Sequence, residues 1–222
     1  MDMTYQGGGA IAIYNSDNVE VKHSVFYANS ARFGGAMYIE NSNPHIEDCY
    51  FELNGKGVGQ NAGALATAGG ALYIKTSNPY LHKLQFINNR SISGGGAVVV
   101  DNSSITMSNI LLAKNETEGM GGAIEVLSNI TGSLLKIANM TSADNVSKRN
   151  GGGTFHTNGE NTELEVINSI MYGNSKVEIY SEGKTPVITY SIIDSALTES
   201  YFGEGCLEDN PYFAVGTRYK LS

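Results

Sequence analysis

A glycine pair followed by a small residue and then by apolar residues at alternate positions recurs along this chain. The six copies begin at Gly8, Gly34, Gly69, Gly95, Gly121 and Gly152, separated by 26, 35, 26, 26 and 31 residues. A unit this short cannot bury a core by itself and has to stack on its neighbours. A period of this size therefore restricts the chain to a repeat architecture, whatever its chemistry.

Each copy runs through the same features. Ile11 and Ile13, Met37 and Ile39, Leu72 and Ile74, Val98 and Val100, and Ile124 and Val126 follow the glycines at a spacing of two. That spacing reads as a strand with one buried face. Polar turns such as Asn41-Ser42-Asn43 and Thr76-Ser77-Asn78 come next, and Pro44 and Pro79 then open a second strand. Its apolar column is Val21, Ile46, Leu81, Met107, Ile137 and Val166, and two residues on stands a polar column of His23, Asp48, Lys83, Asn109, Asn139 and Asn168. A bulky column follows (Phe26, Phe51, Phe86, Leu112 and Met171), which Ser142 interrupts in the fifth copy. Three residues later every copy has asparagine: Asn29, Asn54, Asn89, Asn115, Asn145 and Asn174. A loop returns to the next glycine pair.

Strand, turn, strand, turn, short strand and loop make one rung of an all-β parallel solenoid. Helical repeats need apolar spacings of three and four, which this pattern lacks. The expected architecture is a single-stranded parallel β-helix of about six to seven coils, rising roughly 4.8 Å per coil. Residues 1–175 form the coils, and 176–222 form irregular strands and a closing segment packed on the same solenoid. The aligned asparagines are expected to form a structural amide ladder.

Composition excludes several functions. The formal charge is −8 and no Lys/Arg cluster occurs, so the basic footprint of a nucleic-acid-binding protein is missing. No apolar run approaches the roughly 18 residues of a membrane helix. Cys49 and Cys206 have no neighbours at metal-ligand spacing and read as buried free thiols, with a disulfide between them as the alternative. Met1 to Gln6 resembles no signal peptide, and the repeat starts almost at once, so the chain reads as a slice of a longer one. So short a lead cannot cap the first coil, and end-to-end self-association or fraying is expected there.

The repeats resemble right-handed parallel β-helix proteins, the architecture of pectate lyases, tailspikes and many surface adhesins. The Gly-Gly-Ala-Ile-like and Phe-x-x-Asn motifs (Phe26 to Asn29, Phe51 to Asn54, Phe86 to Asn89) are similar to repeats of chlamydial polymorphic outer membrane proteins. The tail, with Asn168-Ser169-Ile170-Met171-Tyr172-Gly173-Asn174, Val187 to Ile193, Asp209-Asn210-Pro211-Tyr212-Phe213 and Tyr219-Lys220-Leu221-Ser222, resembles the end of bacterial choice-of-anchor Q surface proteins. These resemblances imply a right-handed coil and an extracellular or cell-surface location. They imply no particular activity, because the fold hosts lyases, hydrolases, adhesins and spacers.

The outward positions of the first strand form a stripe of Ala12, Tyr38, Tyr73, Val99, Glu125 and His156, beside a second of Tyr14, Glu40, Lys75, Asp101, Leu127 and Asn158. If exposed, Tyr38 and Tyr73 could stack on sugar rings with Lys75 and Asp101 as polar neighbours. Glu125 and His156 are the candidate acid–base pair. The plainer reading is that aromatic and β-branched residues suit strand positions, with Lys75 balanced by Glu40 and Asp101 across rungs. The calcium-binding carboxylate cluster of pectate lyases is not legible, nor are the paired aspartates, Gly-His-Gly and Arg-x-Lys of polygalacturonases. Arg32, Arg90 and Arg149 fall in the loops, and His23, His45 and His82 read as surface or turn residues. No metal and no cofactor are expected. The insertion from Gly55 to Gly63 and the segments Thr131 to Ser133 and Val146 to Asn150 are the freest places for specificity.

The expected function is a noncatalytic part of a secreted or surface β-helix protein, acting in adhesion, in glycan binding or as an extended scaffold. Its partner would be a polysaccharide or a host or cell-surface glycoprotein. The alternative is a polysaccharide lyase or glycoside hydrolase working on the exposed face of the first sheet.

Overall fold

Parallel pairing between successive coils builds the whole molecule. The structure is a computed structural model and describes residues 7–56, 66–128, 132–194 and 199–213. The first sheet stacks the strands Ile11–Tyr14, Met37–Glu40, Leu72–Lys75, Val98–Asp101, Ile124–Leu127, Phe155–Asn158 and Ile179–Ser181 in chain order. The second sheet stacks Glu20–Lys22, His45–Glu52, Tyr80–Ile87, Ser104–Ala113, Ser133–Ala143, Thr162–Ile167 and Val187–Thr189. A third, four-stranded sheet contains Ala66–Ala68, Arg90–Gly94, Glu116–Thr117 and Val146–Ser147. The result is an all-β parallel solenoid of about seven turns.

The glycine pairs mark the corner where each coil enters the first sheet. In the first five copies the first glycine takes a left-handed conformation, as at Gly34 (φ 57°). The second lies too close to the next coil for any side chain. A Cβ on Gly35 would run into the carbonyl oxygen of Gly70, and one on Gly70 into that of Gly96.

The polar column of the second strand has a conformational cause. Asp48, Lys83 and Asn109 have φ of 51°, 54° and 56°, so the strand bends there without losing its partners on either side. Glu47 pairs with His82 and Cys49 with Leu84, and the bent residues between them are skipped. Asparagine and aspartate tolerate this conformation better than most side chains.

That bend corrects the expected position of the short strand. The bulky column continues the second sheet past the kink, as the register Phe51↔Phe86 shows. The third sheet comes instead from segments read as loop, including Arg90 and the stretch from Val146. Its inward residues Ser91, Thr117 and Ser147 are buried, and Ser91 Oγ donates to Thr117 Oγ1 at 2.9 Å. Hydroxyls bonding between coils leave no apolar period to detect.

Regular coiling also runs past residue 175, since Ile179–Ser181, Val187–Thr189 and Ile192–Ile193 pair in parallel with the coil before them. Beyond them Phe202 bridges to Ile188 and Leu207 to Ile192, and Tyr201 and Cys206 are buried against the end of the core. Residues Met1 to Gln6, Gly57 to Gly63, Thr131 and Tyr219 to Ser222 lie outside the described residues.

Inside the tube the columns stack. Phe26, Phe51 and Phe86 lie nearly parallel, with ring centroids 4.6 and 4.8 Å apart, the spacing of the coils themselves. The asparagines form a continuous amide ladder. Nδ2 of Asn29, Asn54, Asn89, Asn115 and Asn145 donates to Oδ1 of the next asparagine at 2.8–3.0 Å. Cys49 and Cys206 are free and buried.

Candidate functional site

The first-sheet stripe is in register as its spacing implied: Ala12, Tyr38, Tyr73, Val99, Glu125 and His156 are successive strand partners. It is not open, which corrects the expectation of an exposed face. Tyr38 and Tyr73 retain 8% exposure, Glu125 8%, Val99 0% and His156 1%. Side chains stacked at the coil spacing shield one another, and residues before the glycine pairs close in from the side. Tyr38, Tyr73 and Val99 pack with Ala68, Phe33, Tyr14 and Leu127 into a small apolar cluster outside the tube.

Two extra glycines make room for this packing. A Cβ on Gly7 would strike the Tyr38 ring, and one on Gly94 would strike the Glu125 carboxylate. Each opens a triple glycine, as Gly151 does in the sixth copy, where the other three copies have only the pair, a signal present in the sequence but ambiguous there. Phe33, Gly94 and Glu182 precede or follow the repeating strand and carry no period of their own, and Tyr180 continues the stripe beside His156 in a coil that no glycine pair announces.

The tyrosines are committed to internal contacts. Their rings stack at 5.6 Å and 19°, and Phe33 meets Tyr73 edge-on at 5.3 Å. Tyr38 donates its hydroxyl to Glu40 and Tyr73 donates to Asp101, each at 3.0 Å. Burial, together with these carboxylates, raises both hydroxyls well above the ordinary tyrosine range. Asp101 also accepts from Asn102 at 2.7 Å, and Lys75 pairs with Glu40 at 2.8 Å. Phe33, Tyr38, Tyr73, Lys75 and Asp101 line a recess of about 130 Å³, three aromatic rings beside one lysine and one aspartate.

Glu125 and His156 do meet. His156 Nδ1 lies 3.0 Å from Glu125 Oε1, and Nε2 lies 3.8 Å from Glu182 Oε2. Nε2 is buried without a hydrogen-bond partner, and the imidazole stacks on Tyr180 at 5.7 Å. The couple has the geometry of an oriented imidazole. A general base must nevertheless lie within hydrogen-bond reach of its substrate proton, and this imidazole is covered.

On the second sheet, His23 Nδ1 lies 3.0 Å from Asp48, which also pairs with Lys83 at 3.1 Å. The two contacts, Lys83 foremost, hold the Asp48 carboxyl below its ordinary range. Among the described residues no group of three or more histidine, cysteine or acidic side chains could hold a metal ion. No helix among them is long and apolar enough to cross a membrane.

A family model described as "Right handed beta helix region" matches residues 2–135, more than half of the chain. Neither the curated proteins nor the solved structures yield a match.

Proposed function

The chain belongs to the right-handed β-helix family, and on that premise we propose that it is a noncatalytic portion of a secreted or cell-surface protein, a rigid scaffold that engages glycans or glycoproteins. The observation that carries this reading is the commitment of the stripe. The hydroxyls of Tyr38 and Tyr73 and the carboxylate of Glu125 are bonded to neighbouring side chains, and the imidazole beside Glu125 is covered. Such a face resists deformation but presents little chemistry to a substrate.

The surface location draws support from the likeness of its motifs to the chlamydial outer membrane repeats and of its tail to anchor-Q proteins. The recess between Phe33 and Asp101 is the part of the stripe fitted to a ligand, with aromatic edges for the apolar face of a sugar and Lys75 and Asp101 for its hydroxyls. The test is retention of labelled polysaccharides and glycoproteins on the immobilised protein. Phe33→Ala and Lys75→Ala should weaken retention together, and retention indifferent to both would remove the recess from the account.

One observation favours a second reading. The 3.0 Å Glu125–His156 couple, with Nε2 unbonded, would suit a lyase or hydrolase if Tyr180 and Glu182 moved aside. Products from a polysaccharide, rather than binding alone, would decide for it.

A further inference from the structure

Three departures from the repeat meet at one place inside the tube. The bulky column loses its apolar residue at Ser142. The small-residue column of Ala36, Ala71, Ala97 and Ala123 changes to Thr154 and then, one coil on, to Glu178. All three side chains are buried, Glu178 at 3% exposure and the others at 0%. Ser142 Oγ lies 2.8 Å from Thr154 Oγ1, and Thr154 Oγ1 donates to Glu178 Oε2 at 2.7 Å.

Glu178 also takes the place of a seventh asparagine. Along the ladder each asparagine offers both its backbone N–H and its Nδ2 to the next side-chain oxygen, as Asn145 does to Asn174 at 2.8 Å. Asn174 makes the same two gestures toward Glu178, with Nδ2 2.9 Å from Oε2. The ladder therefore ends on a carboxyl group in the last regular coil. Tyr201 closes over that coil, its hydroxyl accepting from the Ile179 N–H.

We propose that Glu178 is a proton-operated fastener: protonated, it lets the last coil and its Tyr201–Cys206 cover close tightly, and ionised, it loosens them. The groups facing it are acidic or neutral. Asp194 approaches from the turn after Ile192–Ile193, Tyr201 from the cover, and Thr154, Ser142 and Asn174 from the coils beneath. Among the described residues no ion pair includes it.

Burial is the largest influence on this carboxyl and pushes it up to about 7, with the three donors opposing the shift. The folded state thus keeps a proton that the opened state has lost between the ordinary carboxylate range and about pH 7. Closure strengthens as pH falls through that window, and the cost of the buried charge is complete above it. Both protonation states can be satisfied, because the Thr154 and Ser142 hydroxyls can reverse direction together.

Hydrogen exchange across pH 5.5–8.5, corrected for intrinsic rates, tests this on amides 177–193 and 199–207 of the full chain. Protection in those segments should fall as pH rises to about 7, by up to roughly tenfold per unit where one proton is coupled, and level off above it, while amides of the first sheet from 37 to 101 hold constant. Glu178→Gln, which keeps the size and an acceptor, should abolish the dependence, and Thr154→Val should move its midpoint upward by removing a donor. Glu125→Gln controls for the histidine couple on the outer face and should leave the dependence intact. A dependence unchanged in Glu178→Gln, or, should that variant not fold, a midpoint unmoved in Thr154→Val, would overturn the proposal.

Discussion

Asn115 Nδ2 donates to Asn145 Oδ1 at 2.9 Å across one coil, with both side chains wholly buried. The Asn115 backbone N–H donates to the same oxygen, and Nδ2 reaches the Phe86 carbonyl as well, both at 2.9 Å. One side chain thus stitches three successive coils. Asn115→Ala leaves the donors of Asn89 and the Phe86 carbonyl unsatisfied, and each such loss costs about 1–3 kcal/mol. Urea unfolding should show a loss of about 3 kcal/mol or more, and a clearly smaller one for Asn29→Ala at the less buried end.

Phe51 lies between two parallel rings, and nothing nearby can collapse to fill its place. Phe51→Ala should cost about 3–5 kcal/mol, read from the same unfolding curves. Leucine should be tolerated better there, since Leu112 occupies the same column two coils on.

The glycines separate two kinds of constraint. At Gly35 a methyl group would meet backbone, which cannot yield; at Gly94 it would meet the mobile end of Glu125. Gly35→Ala is expected to destabilise strongly. Gly94→Ala should cost less, and it should be nearly neutral in a Glu125→Ala background, where the obstructing carboxylate is gone. A thermal-melt double-mutant cycle measures that coupling.

These cases show what the sequence could disclose. Ile39, Ile74 and Phe86 announce themselves because burial is apolar and the period is strict. Ser91 and Thr117 are as buried as any of them, but hydroxyl ladders between coils look like surface sequence. The stripe was legible as a register and not as a surface, since its cover comes from Phe33 and Ala68, which lie outside the strand period. Glu178 stood in a stretch without a visible repeat, and only the register with Thr154 reveals which column it joins.

Tyrosine ionisation reports directly on that cover. Burial, ahead of the neighbouring carboxylates, raises Tyr38, Tyr73 and Tyr201 above the ordinary value. Ultraviolet titration should therefore show Tyr38, Tyr73 and Tyr201 ionising only as the protein unfolds. The sign follows from the raised values: the folded state holds protons the unfolded chain has lost, so stability should fall as pH rises beyond about 10.

The reading we propose makes the stripe structure and binding surface, not catalytic machinery. Its most direct test incubates the protein with pectins, alginates and neutral glycans, with and without calcium, and follows unsaturated and reducing-end products. The expected result is no product under any condition, with any retention of glycan unaffected by Glu125→Gln. Product that accumulates with time and disappears in Glu125→Gln and His156→Ala, with both variants folded, would contradict the account.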